Sequence, residues 1–203
     1  MRIQLHPENP DSRKIKQLVE VLENDGVIII PTDSVYALAC HMNSQKAVDR
    51  ICKLRGLDPV KANLTFMCDS VATLAAYAAP ISNQSFRLIK RNIPGPFTFI
   101  LKSNNEVPKL FKNKKRTIGA RIPDHVFIQD LVSALGSPLM TSSLKLDDDE
   151  FHESDVDEID ELWGKRVDAI VESGIVPNVE TAIVDLSGGD IEVIREGNLD
   201  LQY

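Results

Sequence analysis

Between Gly26 and Pro31 four β-branched residues, Val27-Ile28-Ile29-Ile30, follow one another with no polar interruption. A strand with one face in water alternates apolar and polar side chains. An uninterrupted run of this kind marks a strand buried on both faces. A sheet covered on both faces needs helices above and below it, which places the chain in the α/β class. The neighbouring residues agree. Asn9-Pro10 offers a cap and a first-turn residue, and Ile15, Leu18, Val19 and Leu22 fall at i, i+3, i+4 and i+7. A helix is therefore expected before the strand, ending at Gly26.

The same alternation continues along the chain. Ser44 caps a helix with Ala47, Val48, Ile51 and Cys52 on one face, and Lys53-Leu54-Arg55-Gly56 ends it. Residues 62–68 read as a strand, helices follow from Ser70 and Ser82, and Pro94-Gly95-Pro96 breaks the chain before a strand at 97–101. Beyond a basic loop come a strand at 117–122, a helix carrying Ile128, Leu131, Val132 and Leu135, and an extended piece at 138–143. Residues 168–171, 181–186 and 191–194 are the closing strands. They lie too near one another for helical crossovers, so the sheet is expected to be mixed.

Composition matters at three points. With 203 residues, 43% of them apolar, the chain can fill a core on both sides of such a sheet. Three widely spaced cysteines, Cys40, Cys52 and Cys68, fit neither a disulfide framework nor a metal site. No basic-then-apolar leader and no apolar run near the roughly 20 residues of a membrane helix are visible, so a cytoplasmic protein without membrane contact is expected. The net charge of −7 is uneven. Ten of the 30 acids lie in residues 147–161, leaving 20 acids against 23 bases elsewhere.

Phosphate-loop, dinucleotide-fingerprint, zincin and nucleophile-elbow patterns are missing, and the four histidines have no ligand spacing. What remains are cations and hydroxyls at element ends. Pro31-Thr32-Asp33-Ser34 follows the buried strand, where α/β proteins place ligand loops. Lys53 and Arg55 end a helix, Arg121 ends a strand, Thr141-Ser142-Ser143 follow Pro138, and Arg195 follows the last strand. Singly, each has a structural reading as a helix-end cation, an ion-pair partner or a polar strand end. Together they suit a ligand with several anionic oxygens, such as a nucleotide.

The order of these residues resembles the YrdC-like family, whose enzymatic members are threonylcarbamoyl-adenylate synthases. Pro31-Thr32-Asp33-Ser34-Val35-Tyr36-Ala37-Leu38 is similar to its Pro-Thr-Asp/Glu-Thr-Val-Tyr-Gly-Leu signature, and Lys53-Leu54-Arg55 to its Lys-x-Arg element. Ile118-Gly119-Ala120-Arg121-Ile122-Pro123, Pro138-Leu139-Met140-Thr141-Ser142, Thr181-Ala182-Ile183-Val184-Asp185 and Arg195-Glu196-Gly197 resemble its remaining motifs in order. The resemblance implies a single domain over 1–203, with a twisted mixed sheet, helices packed around it and a cationic concave cavity. It implies a condensation of L-threonine, bicarbonate and ATP, with Mg²⁺ accompanying the ATP, to threonylcarbamoyl-adenylate and pyrophosphate in tRNA modification. Carried over, Lys53, Arg55, Ser142 and Arg195 would bind nucleotide, Thr32 and Thr181 the threonine substrate, and Arg121 the threonine carboxylate or a phosphate. No catalytic nucleophile and no protein-bound metal are implied.

The chain also departs from the pattern. The family's Ser-x-Asn reads Ser142-Ser143-Leu144, its Tyr-Gly is Tyr36-Ala37, Gly56 follows Lys-x-Arg in place of Pro, and Asn-Pro-Leu reads Ala62-Asn63-Leu64. These changes resemble the YciO-type branch and imply weak synthase activity, with Leu144 expected at the cavity rim. Lys109, Lys112, Lys114, Lys115 and Arg116 with Phe111 are either a solvated loop or a patch for duplex RNA or tRNA phosphates. The acidic block is expected to form a helix opened by Ser154, with Ile159 and Leu162 inward. Two further functions stay open: a non-enzymatic RNA-binding module, and a nucleotide or RNA hydrolase. The sequence leaves the oligomeric state undetermined.

Overall fold

The computed structural model describes residues 1–59, 62–108, 116–144 and 155–203. In chain order these form β1 (Arg2–Gln4), α1 (Ser12–Glu23), β2 (Val27–Ile30), β3 (Ala37–His41), α2 (Gln45–Leu54), β4 (Thr65–Met67), α3 (Val71–Tyr77) and α4 (Asn83–Arg91). They continue with β5 (Phe97–Lys102), β6 (Thr117–Arg121), α5 (Val126–Leu135), β7 (Leu139–Ser143), α6 (Val156–Trp163), β8 (Ala169–Glu172), β9 (Ala182–Asp185) and β10 (Glu192–Arg195). Among the described residues the strands make one mixed sheet, ordered β1-β8-β2-β3-β7-β4-β6-β5-β9-β10. β2 pairs parallel with β8 and antiparallel with β3.

The apolar run of β2 divides between two cores. Val27 and Ile29 enter a cluster with residues of α2, α3, α4 and α6, whereas Ile28 and Ile30 enter one with α1 and α5. All four are fully buried. Each face of this strand therefore has its own helical cover, which is why no polar alternation survives there.

Local signals explain most element ends. Ser44, Ser70 and Ser82 each accept a backbone N–H bond at a helix start, from Ala47, Thr73 and Ser85. The cap of α1 is Asp11, whose carboxylate accepts from Arg13 N at 2.9 Å, and not Asn9. Asn9 is held in a preceding turn, where its N–H and that of Glu8 donate to His6 Nδ1. At the other end Asn24 caps α1, and Gly26 serves a close approach. A Cβ there would stand 2.4 Å from the Val21 carbonyl oxygen.

The expected strand at 62–68 is shorter, Thr65–Met67. The cap of α6 is Asp155, and Ser154 lies outside the described residues. Ile159 is buried as expected, but Leu162 is exposed and Trp163 takes the inward place. Trp163, one turn from Ile159, buries the larger apolar surface. Asp147, Asp148, Asp149, Glu150 and Glu153 of the acidic block, and Lys109, Phe111, Lys112, Lys114 and Lys115 of the basic loop, lie outside the described residues. No helix among the described residues is long and apolar enough to cross a membrane.

Candidate functional site

α1 packs against α5 and touches β2 and β3. Farther along the same sheet face, β4, β6, β5 and β9 present Thr65, Gly119, Arg121 and Thr98 among the apolar Met67 and Ile183, so no continuous apolar layer forms there. The pairings Thr65 with Gly119, Met67 with Arg121, and Thr98 with Ile183 put these side chains on one face. A cavity of about 250 Å³ opens over them. Hydroxyls dominate its lining, with Thr65 and Thr98 from the floor, Thr141, Ser142 and Ser143 from β7, and Thr181 just ahead of β9.

One wall is the loop after β2. The Thr32 hydroxyl donates to Val35 O at 2.7 Å and accepts from the N–H groups of Ser34 and Val35 at 3.0 and 3.1 Å. That hydroxyl is committed to shaping the loop, although Thr32 also lines the cavity. Ser34 Oγ accepts from Arg121 Nη1 at 2.8 Å, and Asp33 accepts from Arg121 Nη2. The other Asp33 oxygen accepts from Asp124 N at 2.9 Å. Burial disfavours the charged Arg121 guanidinium, the Asp33 carboxylate opposes that effect, and nearby Arg195 adds to it. Arg121 Nε is buried without a hydrogen-bond partner. Behind this pair, burial pulls the His125 imidazole below its ordinary range, opposed by a hydrogen bond to the Ser173 backbone and by Asp33 and Asp124.

The opposite wall comes from β9 and β10. Arg195 donates to Thr181 O, from Nε at 3.0 Å and Nη2 at 2.7 Å, and to Thr181 Oγ1 at 2.7 Å. A bulge sets this contact. Val193 pairs with Val184 and Arg195 with Ile183, so Ile194 is the extra residue. The insertion turns Arg195, and not Ile194, to the cavity face of the hairpin.

The structure thus brings Thr32, Arg121, Ser142, Thr181 and Arg195 to one cavity. Arg55 lies behind the lining, where it is buried at the end of α2 and donates from Nε to Ser142 Oγ at 3.3 Å. Lys53 is exposed on the last turn of α2, outside the lining. Arg116 is exposed just ahead of β6, its carbonyl accepting from Ser103 N and Oγ. Leu144 is not at the rim. It is 4% exposed within the apolar cluster shared with α2, and its N–H donates to Tyr36 O at 2.9 Å. An apolar side chain there is retained by core packing. Thr65 and Thr98 belong to no motif of the sequence, although the order Phe97-Thr98-Phe99-Ile100-Leu101 carries a period-two signal. A larger groove of about 520 Å³ near Lys46, Arg50 and Asp168 is lined by charges that pair among themselves, Arg50 with Asp168 at 2.5 Å and Lys46 with Asp25 at 3.9 Å.

The family model named for Sua5, YciO and YrdC, described as telomere recombination, matches residues 20–197. The chain belongs to the Sua5/YciO/YrdC family. It is 43% identical to the uncharacterized protein YciO of Escherichia coli K12 over 98% of this chain and 96% of that one. A crystal structure of E. coli YciO superposes with a TM-score of 0.92 at 41% identity, covering 100% of this chain and 98% of that one. The threonylcarbamoyl-AMP synthase of Bos taurus is 28% identical over 90% of this chain and 67% of its own length. Sua5 of P. abyssi, crystallised with L-threonine, shares the fold with a TM-score of 0.88 at 24% identity, covering 98% of this chain and 58% of that one. Within the Sua5/YciO/YrdC family the chain is thus similar to YciO along nearly its whole length and related at greater distance to synthases.

Proposed function

We propose that this protein binds a nucleotide and a small amino acid in the hydroxyl-lined cavity, and that it condenses L-threonine, bicarbonate and ATP only weakly. The observation that carries this reading is the buried Arg121, held by Asp33 and Ser34, facing the same cavity as Arg195. Two guanidinium groups converging on a site rich in hydroxyls suit a ligand with carboxylate or phosphate oxygens. The relationship to threonylcarbamoyl-AMP synthases supports the choice of substrates.

Arg121 and Thr181 hold the amino acid, Arg195 and Ser142 the phosphates, and Arg55 orients Ser142 from behind. Lys53 approaches the phosphates from the exposed side. The chemistry asks the protein to hold three reactants together and to neutralise developing negative charge, with no protein nucleophile. Mg²⁺ would arrive on the ATP phosphates as part of the substrate, and the exposed Glu180 is the carboxylate of the cavity lining that would be available to it. Weak turnover is expected from Ala37, which stands in the cavity lining where the family pattern has Gly, since Leu144 lies in the core away from the reactants. Duplex RNA or tRNA is the proposed macromolecular partner. Residues 70–123 carry ten bases and one acid, and Arg87, Lys90 and Arg116 among them are exposed.

Calorimetric titration with ATP and with L-threonine, joined to mass spectrometry for threonylcarbamoyl-AMP, tests this reading. Binding of both with little or no product is expected. Binding of neither overturns it, and rapid product formation overturns the weak-turnover part.

A further inference from the structure

Gly119 stands in the middle of β6, a strand flanked by β4 on one side and β5 on the other. A glycine inside a central strand costs stability relative to residues with a side chain, so its presence calls for a cause. Backbone conformation does not supply one, since its φ lies outside the left-handed region. Crowding does not supply one either. A Cβ built on Gly119 would find Thr98 Cγ2 at 3.5 Å and Thr65 Oγ1 at 3.9 Å, ordinary van der Waals distances. Gly197 is the contrast, because a Cβ there would stand 2.4 Å from Ala182 N.

The missing side chain would point into the cavity. Gly119 pairs with Thr65, and Arg121, two residues on, pairs with Met67. Thr65, Met67 and Arg121 all line the cavity, so the strand period puts Gly119 on the same face. Despite its central strand, Gly119 stays partly exposed. The place of the missing side chain is a slot in the floor, with the Thr65 hydroxyl on one side and the Thr98 methyl on the other, 3.9 and 3.5 Å from where a Cβ would stand.

We propose that Gly119 is a specificity-determining residue, kept without a side chain so that an anionic, oxygen-bearing group of the ligand can lie against the sheet beside Arg121. A carboxylate or a phosphate oxygen fits that chemistry, and both sources occur in the ligands proposed above, on which this inference rests. The slot discriminates by width, because a branched substituent in the ligand or on residue 119 would fill it.

The experiment compares Gly119→Ala and Gly119→Val with the unaltered chain, using thermal unfolding and titration with L-threonine and with ATP separately. Gly119→Ala should raise Tm by about 1–4 °C. Gly119→Val should keep Tm at or above that of the unaltered chain while weakening binding of one ligand at least tenfold. Loss in the threonine arm assigns the slot to a carboxylate, and loss in the ATP arm assigns it to phosphate. Gly188→Ala, at an exposed site with no atom within 4 Å of the added Cβ, should leave both affinities unchanged. A lower Tm in Gly119→Ala, or unaltered affinities in Gly119→Val, overturns the proposal. If the unaltered chain binds neither ligand, the proposed function fails and Tm alone decides. A rise then leaves the slot reserved for another anion, and a fall removes it.

Discussion

Arg121 is 6% exposed, with Asp33 and Ser34 as its hydrogen-bond partners, so the charge of this guanidinium depends on one carboxylate. Removing one partner of a buried ion pair strands the other in a low-dielectric interior, at a cost of about 3–5 kcal/mol. Asp33→Ala should lower stability by about that amount in urea denaturation. The double variant Asp33→Ala with Arg121→Ala should recover part of the loss, because no buried charge is then left unpaired. An equal or larger loss in the double variant would show that packing, not charge, holds this corner. The ion pair also explains how a cation can face a cavity before any ligand arrives, since Asp33 compensates it in the meantime.

At the scale of elements, β7 shows how a strand end can change character within two residues. Ser142 and Ser143 line the cavity, and Leu144, bonded through its N–H to Tyr36, enters the core. Leu144→Asn should therefore cost about 2–5 kcal/mol in thermal or chemical unfolding, because it opens a void and buries an amide without partners. Synthase turnover per folded molecule should not rise, and a clear rise would place residue 144 within reach of the reactants after all. Helix caps such as Ser44, Ser70 and Ser82 were legible in the sequence because each acts on backbone three residues away. The buried run of β2 was legible for the same reason, its pattern being wholly local. Thr65, Thr98 and Gly119 were not, because their meaning depends on sheet register and on a face that α1 and α5 leave uncovered. The inward place of Trp163 over Leu162 was likewise decided by tertiary packing. The sequence marks Arg55 as a ligand-region residue, but its place behind Ser142 depends on two elements meeting 87 positions apart.

For the whole molecule, charge is divided along the chain. Ten bases stand against one acid in residues 70–123, while the full chain has 30 acids and 23 bases. If RNA phosphates meet the basic part, affinity for duplex RNA should fall steeply with salt. Neutralising Lys114, Lys115 and Arg116 together should flatten the log–log slope by about one to three units in fluorescence titrations. An unchanged slope would assign these residues to ordinary surface. The strand order carries a different consequence. β8 is wedged between β1 and β2, pairing parallel with both, although about 140 residues separate its start from the end of β2. On a ribosome, β1 and β2 emerge early and must wait for the strand that joins them, a delay on the order of ten seconds at ordinary elongation rates. Throughout that interval one edge of β2, apolar on both faces, has no neighbour. The growing chain is therefore most vulnerable to misassociation before residue 172 is made, and its first strands are secured among its last.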